Sequence, residues 1–271
     1  MKRLHHTTRH SAFAYPITVG ERLYSILIWP AVLSLFIFIA LKFISLAPAV
    51  HTQAISLSEL LVALSYTLSR LAVAYCLALV CAIPLALLAA SSAWAEKIFL
   101  PTYDILESIP ILAFFPILII FFVHIRFLNG AAIFILFLSM LWNIVFTVIG
   151  GLQIIPKDIA YAAHVFKIRG WKYFHQVIMP AIVPELVTGS ILAVAQGWNL
   201  IIVAEVIHVY IPNGTSANDL AGIGSMLVKA AATGQTDLFV AALTIMILVI
   251  ALINFFIWQK LLHYAQRFKF E

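Results

Sequence analysis

Six stretches of this sequence are long and apolar enough to cross a lipid bilayer as helices. A helix needs about 20 mostly apolar residues to span the hydrocarbon, where its backbone hydrogen bonds are satisfied within the segment. We therefore predict an all-α polytopic membrane protein with six transmembrane helices, whose transmembrane domain occupies residues 23–262. The six stretches lie at roughly 23–47, 68–92, 103–123, 129–151, 184–208 and 238–262.

The composition agrees with this class of protein. Only 10% of the residues are charged and 64% are hydrophobic, whereas a soluble domain is usually about 25% charged. The chain therefore has too little polar surface to cover a water-soluble globule. Cys76 and Cys81 lie inside the second span, where we interpret them as small apolar side chains that imply neither a disulfide framework nor a metal site.

The distribution of basic residues predicts which ends of the spans face the cytoplasm. Cytoplasmic loops carry an excess of Lys and Arg, and with a cytoplasmic N-terminus 12 of the 16 such residues fall on that side. Both termini, with tails at 1–22 and 263–271, and the loop at 152–183 are then cytoplasmic, and residues 209–237 form an outer loop. Because membrane topology explains the basic charge, we do not expect a nucleic acid as partner.

Polar residues at membrane depth mark candidate functional positions. Gln196, Trp198, Asn199 and Glu205 lie together on the fifth span, where they either line a translocation path or form hydrogen bonds between helices. Arg70, like Glu205, lies near the outer end of its span, where a long charged side chain reaches water at low cost.

Two prolines predict a bend in the third span. Pro110 and Pro116 each lack the N–H group that an α-helix uses for its internal hydrogen bonds. Asp104 and Glu107 lie earlier in this span, near its predicted cytoplasmic end, where we interpret them either as a solvated helix start or as functional charges.

The sequence contains no motif of a known catalytic site. It has neither a phosphate-binding loop of the GxxxxGK[ST] type nor an HExxH zinc motif. We therefore expect no catalysis by this chain, and no cofactor or metal bound directly to it.

The longest predicted cytoplasmic loop contains two amphipathic segments. "PKDIAYAAHVFKI", from Pro156, is typical of a helix, and after "RG" the segment "WKYFHQVIM" predicts a second short helix stopped by Pro180 and then by Pro184. The aromatic side chains of this loop either pack on the ends of the spans or fill a groove on a partner protein. The five aromatic residues are Tyr161, Phe166, Trp171, Tyr173 and Phe174.

This loop resembles the cytoplasmic loop of ABC importer permeases, the binding-protein-dependent transport family. The family pattern is E-A-A, three residues, G, nine residues and a hydrophobic pair of I-x-L-P type. Ala162, Ala163 and "VIMP" at 177–180 match it, whereas Tyr161 stands in place of the Glu and Lys167 in place of the Gly. We expect Gly170, three residues later, to make the turn instead.

The resemblance covers about residues 60 to 260 and points especially to the nitrate, sulfonate, taurine and bicarbonate branch of the family. "LESIPILAFFPILIIFF" is similar to the bent third span of that branch, and "GWNLIIVAEVI" followed by "AGIGSML" is similar to its fifth span and outer loop. The resemblance implies the type I ABC importer permease fold and a location in the bacterial inner membrane, in contact with lipid.

The resemblance also implies a transport mechanism with several partners. Two permeases, identical or different, pair around one path for a small solute that a periplasmic or surface binding protein delivers. Two separate ATP-binding subunits use ATP and Mg²⁺, and they dock on the loop at 156–180. The residues that the resemblance assigns to ATPase coupling are Tyr161, Ala162, Ala163, Phe166, Lys167, Gly170, Trp171, Tyr173, Phe174 and Pro180.

Two other functions stay open at this point. An ion-coupled secondary carrier typically has charged residues nearer the membrane midplane and internal repeats, and the sequence shows neither convincingly. A non-transporting membrane scaffold subunit is compatible with the departures at Tyr161 and Lys167 from the family pattern. Co-purification with a nucleotide-binding subunit, together with an uptake assay, distinguishes the three.

Overall fold

The computed structural model describes residues 56–211, 214, 215 and 218–268, together with Ser34. The chain divides into two units, Met1–Pro48 and Ala49–Glu271, and the helices reported below belong to the second. The predicted tail at 1–22, the predicted span at 23–47 apart from Ser34, and the last three residues of the C-terminal tail lie outside the described residues.

Four helices in the described part of the chain are long and apolar enough to cross a membrane. They are α1 (Leu57–Ala89), α4 (Leu128–Gln153), α6 (Trp171–Glu205) and α8 (Thr236–Phe268). Two shorter helices, α5 (Lys157–Val165) and α7 (Ile223–Ala232), lie in the connections. The prediction of an all-helical membrane protein is confirmed.

The predicted third span is broken into two helices. Helix α2 (Ala93–Ser108) and helix α3 (Ile111–His124) meet at an angle of 78°. Ile109 between them is extended, with φ −74° and ψ 125°, because the ring of a proline disfavours helical geometry in the residue before it. Pro110 therefore makes the predicted bend, while Pro116 lies inside α3 without interrupting it. Counting α2 and α3 as one span gives five spans among the described residues.

The prediction that Pro180 and Pro184 stop a separate short helix is wrong. Helix α6 begins at Trp171 and continues through both prolines to Glu205. Its winding is π-helical over Phe174–Ile178, immediately before Pro180. A wider turn at this point relieves the contact between a proline ring and the carbonyl group of the preceding turn.

Two other helices are longer than predicted. Helix α1 begins at Leu57 rather than near residue 68 because Leu60, Ala63 and Leu64 already bury a helical stripe against the bundle. Helix α8 contains a second π-helical turn, Asn254–Trp258, and ends in a 3₁₀ turn at Phe268. Most of the predicted C-terminal tail at 263–271 is therefore a continuation of α8.

Helix α4 forms the centre of the bundle and packs against α1 and α6. Small residues permit this close packing. On α1, fully buried alanines recur at every fourth position, namely Ala74, Ala78, Ala82 and Ala86. On α6, a Cβ atom added at Gly197 would overlap the side chain of Met140 on α4.

Candidate functional site

The loop between α4 and α6 contains a helix that ends in a tight turn centred on Lys167. The N–H of Lys167 donates to the carbonyl of His164 at 3.1 Å, and the N–H of Ile168 donates to that of Ala163 at 2.9 Å. Lys167 has a φ of +54°. This pair of hydrogen bonds around a left-handed residue is the Schellman motif, which usually has glycine at the position of Lys167.

The expectation that Gly170 replaces Lys167 in this turn is therefore wrong in part. Lys167 adopts the left-handed conformation itself and ends α5. Gly170 makes a second change of direction, with φ +59° and ψ −131°, a conformation that L-residues rarely adopt. Its carbonyl accepts the N–H of Phe174 at 3.1 Å and so starts α6.

Three aromatic side chains of the loop are exposed. Tyr161 is 67% exposed, Phe166 76% and Trp171 75%. The Trp171 ring stacks on Phe174 with the centroids 5.2 Å apart and on His175 at 5.9 Å. Of the other predicted coupling residues, Ala163 is buried, Ala162 is exposed, and Tyr173, Phe174 and Pro180 are half-buried. The loop thus exposes three aromatic side chains, Tyr161, Phe166 and Trp171, which we call the aromatic surface.

A buried ion pair joins three helices at the other end of the bundle. The Nη1 atom of Arg70 on α1 lies 2.8 Å from Oε1 of Glu205, the last residue of α6. Both side chains are removed from solvent, with 6% and 0% exposure. The Nε of Arg70 also donates to Oδ1 of Asn129 on α4 at 2.9 Å. The predicted outer ends of the second, fourth and fifth spans therefore meet at one guanidinium group.

The same carboxylate caps helix α7. The backbone N–H groups of Gly224 and Ser225, in the first turn of α7, donate to Oε2 of Glu205 at 2.8 and 3.4 Å. Thr67 on α1 accepts the N–H of Ile223 at 2.9 Å and donates its own hydroxyl to Oε1 of Glu205 at 2.6 Å. The first backbone N–H groups of a helix have no acceptor within it. In α7 these groups donate to side chains of α1 and α6 and not to a residue next to them in the sequence.

Close approach of α7 to Glu205 requires glycine at position 222. The φ angle of Gly222 is 179°, an extended conformation that any residue adopts. The requirement for glycine therefore does not come from the backbone conformation. A Cβ atom added there would instead overlap the carboxylate of Glu205. We call the arrangement of Thr67, Arg70, Glu205 and Gly222 with the start of α7 the outer junction.

A cavity of about 460 Å³ opens beside the outer junction, between α1 and the 219–229 segment. Its lining combines apolar groups with charged and hydroxyl groups, among them Glu59, Tyr66 and Lys229. One wall is fixed by Asp219, whose carboxylate accepts the backbone N–H of His208 at 3.0 Å and lies 2.8 Å from Nδ1 of its ring.

The four predicted path residues do not share one face of α6. Gln196 and Asn199 are exposed, whereas Trp198 is 9% exposed and Glu205 is fully buried. The carboxylate of Glu205 is occupied by the outer junction and presents no free group to a solute. In the described ranges 56–211 and 218–268, no group of three or more His, Cys, Asp or Glu residues is placed to hold a metal ion.

The sequence predicts Arg70 and Glu205 at the same side of the membrane but does not predict that they pair. Two opposite charges at the outer ends of neighbouring spans are a usable signal, since a buried charge needs a partner. Thr67 and Gly222 gave no such signal, because their roles depend on how α7 returns to the bundle.

Comparison with known proteins gives consistent matches. Residues 82–265 match the family described as "Binding-protein-dependent transport system inner membrane component". Over 141 residues the chain is 34% identical to the nitrate import permease protein NrtB of Leptolyngbya laminosa, an alignment that covers 52% of this chain and 50% of that protein. Over 152 residues it is 30% identical to the putative aliphatic sulfonates transport permease protein SsuC of Escherichia coli, covering 56% and 53%. The chain thus spans about half the length of these curated relatives.

A solved structure shares the fold. A chain of the MetNI methionine ABC transporter in an inward-facing conformation superposes with a TM-score of 0.63 at 18% sequence identity. The match covers 77% of this chain and 97% of that one.

We expect Gly222→Ala to destabilise the outer junction, because the added methyl group displaces the buried carboxylate of Glu205. The matched control is Gly150→Ala on α4, where an added Cβ meets no atom within 4 Å. Thermal unfolding in detergent measures the effect, and we expect a loss of about 1–3 kcal/mol for Gly222→Ala alone. Equal melting temperatures for the two variants would contradict the contact.

The ion pair predicts strong coupling between Arg70 and Glu205. Glu205→Gln or Arg70→Met alone leaves one buried group without its partner, which costs about 3–5 kcal/mol. The double variant removes both charges, so its loss should be smaller than the sum of the single losses by about 1–3 kcal/mol. Denaturant unfolding of the four proteins checks this, and additive losses would show that the charges do not interact.

Lys167→Gly should stabilise the loop by about 1 kcal/mol, because glycine adopts the left-handed conformation without the penalty of a Cβ atom. Hydrogen exchange of the Lys167 and Ile168 amides, which donate to His164 and Ala163, should slow accordingly. Lys172→Gly, at a position inside α6, serves as the control and should accelerate local exchange. Faster exchange in Lys167→Gly would contradict the turn.

Proposed function

Because this chain belongs to the family of binding-protein-dependent transport system inner membrane components, we propose that it forms the translocation path of an ATP-driven importer for a small solute. The resemblance to ABC importer permeases is confirmed by this membership, and the shared fold agrees with it. The protein is a multi-pass component of the inner membrane. ATP hydrolysis takes place on a separate subunit, and a binding protein delivers the solute to the outer side.

The aromatic surface of the loop is the observation that carries this proposal. Tyr161, Phe166 and Trp171 are each more than two-thirds exposed, although they lie in a loop predicted to face the cytoplasm, where lipid does not cover them. Exposed aromatic groups on a short helix are typical of a segment that fills a groove on a partner protein. A cleft on the ATP-binding subunit is the occupant that the family resemblance implies.

Helix α6 provides a direct connection from this surface to the far end of the bundle. It is one helix of 35 residues, which corresponds to a length of about 52 Å. Trp171 lies at its first residue and Glu205 at its last. A displacement of the docked loop therefore moves α6, and the outer junction transmits that displacement to α1 and α7.

The solute path lies along the exposed face of α6 that carries Gln196 and Asn199. Their amide groups are neutral donors and acceptors, which bind a small polar solute without holding it tightly. A second permease, identical or different, closes the path on the other side. The relatives are named for nitrate, bicarbonate and aliphatic sulfonates, and we propose a small anion of this kind as the solute.

Trp171→Ala tests the docking role of the loop. We expect at least a tenfold loss of ATP-dependent uptake into vesicles and weaker retention of the ATP-binding subunit during purification, because the variant removes the largest exposed ring of the loop. Trp94→Ala on α2 is the matched control, since Trp94 is 73% exposed but outside the loop. Uptake and subunit retention at the wild-type level in Trp171→Ala would refute docking through this surface. A complex that forms and hydrolyses ATP but never takes up solute would indicate a scaffold subunit.

A further inference from the structure

Helix α6 joins Trp171 of the aromatic surface to the bundle, and its winding changes between the two. Over Phe174–Ile178 helix α6 is π-helical, and the N–H of Met179 donates to the carbonyl of Phe174, five residues earlier. A π-helical turn holds about one residue more than an α-helical turn. The residues before it are therefore rotated by about 100° relative to the orientation that an uninterrupted α-helix would give them.

This rotation determines where the aromatic groups point. On one side of the turn, Trp171 is exposed and stacks on Phe174. On the other side, Ala181 and Ile182 are buried in the bundle. Because the bundle fixes the second side, the winding of the turn sets the position of Trp171 around the helix axis.

Pro180 is placed to keep the turn in this form. It follows Met179, the donor of the π-type hydrogen bond, and it has no N–H to donate back to Gln176. Its ring would also meet the carbonyl of Gln176 if the helix were α-helical here. Both effects disfavour the tighter winding at this point of the chain.

We propose that Pro180 is a positioning residue which holds the π-helical turn, and that the turn sets the rotation of Trp171 in the aromatic surface relative to the part of α6 that begins at Met179. This inference rests on the proposed function, since it assumes that the aromatic surface meets an ATP-binding subunit. Pro180 acts through Trp171 and Phe174 and contacts no solute itself.

Two features of the molecule provide internal controls. Pro184 lies one turn after Pro180 in the same helix, and the residues directly before it, from Met179, are α-helical. The π-helical turn of α8 at Asn254–Trp258 contains no proline. A proline in α6 and a change of winding are therefore separable, which allows the role of Pro180 to be tested by substitution.

Three variants of the full chain, each expressed with its ATP-binding subunit, test the proposal. In Pro180→Ala the helix closes as an α-helix, Trp171 rotates away, and we expect ATP-dependent uptake to fall at least tenfold. Deleting the exposed residue Gln176 in the Pro180→Ala background removes the surplus residue and restores the native rotation, so at least half of the wild-type uptake should return. Pro184→Ala should retain wild-type uptake.

The rescue by deletion is the decisive readout, because a merely structural role of Pro180 would not be repaired by a shorter helix. Wild-type uptake in Pro180→Ala, or no recovery in the deletion variant, would overturn the inference. If Pro180→Ala does not fold, an alanine inserted after Gln176 in the wild-type chain gives a rotation of the same size. Undiminished uptake in that insertion variant would equally overturn it.

Failure of the proposed function is recognised separately. The wild-type chain is first tested for a stable complex with the ATP-binding subunit. Absence of that complex overturns the proposed function and this inference together, whereas a wild-type complex with undiminished Pro180→Ala uptake overturns this inference alone.

Discussion

The carboxylate of Glu205 holds together three parts of the chain that are far apart in sequence. It binds the guanidinium of Arg70 and the hydroxyl of Thr67 on α1, ends α6, and accepts two backbone N–H groups of α7. Such a group is stable in a low-dielectric interior only if every oxygen has good partners. This one side chain therefore fixes the start of α7 against α1 and α6. The glycine at position 222 follows from it, because a Cβ atom there would overlap the carboxylate.

The two ends of α6 differ in how firmly they are attached to the rest of the protein. At its far end the outer junction fixes the helix to α1 through side chains that are almost completely buried. At its near end the helix begins with an exposed tryptophan, and a short connection through Lys167 and Gly170 joins it to α5. Under the proposed function, a displacement of the loop therefore acts on a helix whose other end is held by the buried ion pair.

The hydrophobicity of the sequence is enough to predict the helix in the middle of the bundle. It does not predict where α1 begins or that α6 is continuous, because both depend on packing against other helices. The predicted span at 129–151 nearly coincides with α4, since an apolar helix surrounded by other helices has no polar face to obscure its ends. The start of α1 was missed because polar residues such as Ser58 and Ser65 occupy its exposed face. The continuity of α6 was missed because proline is normally a stop signal, whereas here the π-helical turn and the buried residues after it compensate for the lost hydrogen bond.

Some features of the candidate site are also predictable from the sequence, whereas others are not. The loop between α4 and α6 was recognisable because its pattern is local, with Ala162, Ala163 and Pro180 at the family spacing. The turn at Lys167 was not, since a lysine gives no sign that it will adopt a left-handed conformation; two hydrogen bonds to α5 impose it.

The burial of Glu205 also affects which solutes the path can accept. A carboxylate facing the path would repel the small anions for which the relatives are named. In the structure the negative charge is matched by Arg70 and sealed from solvent, while the exposed face of the same helix offers the neutral amides of Gln196 and Asn199. Helix α6 thus uses its charge to fix its own position and leaves uncharged groups on the face proposed to meet the solute, an arrangement that removes the electrostatic objection to an anion.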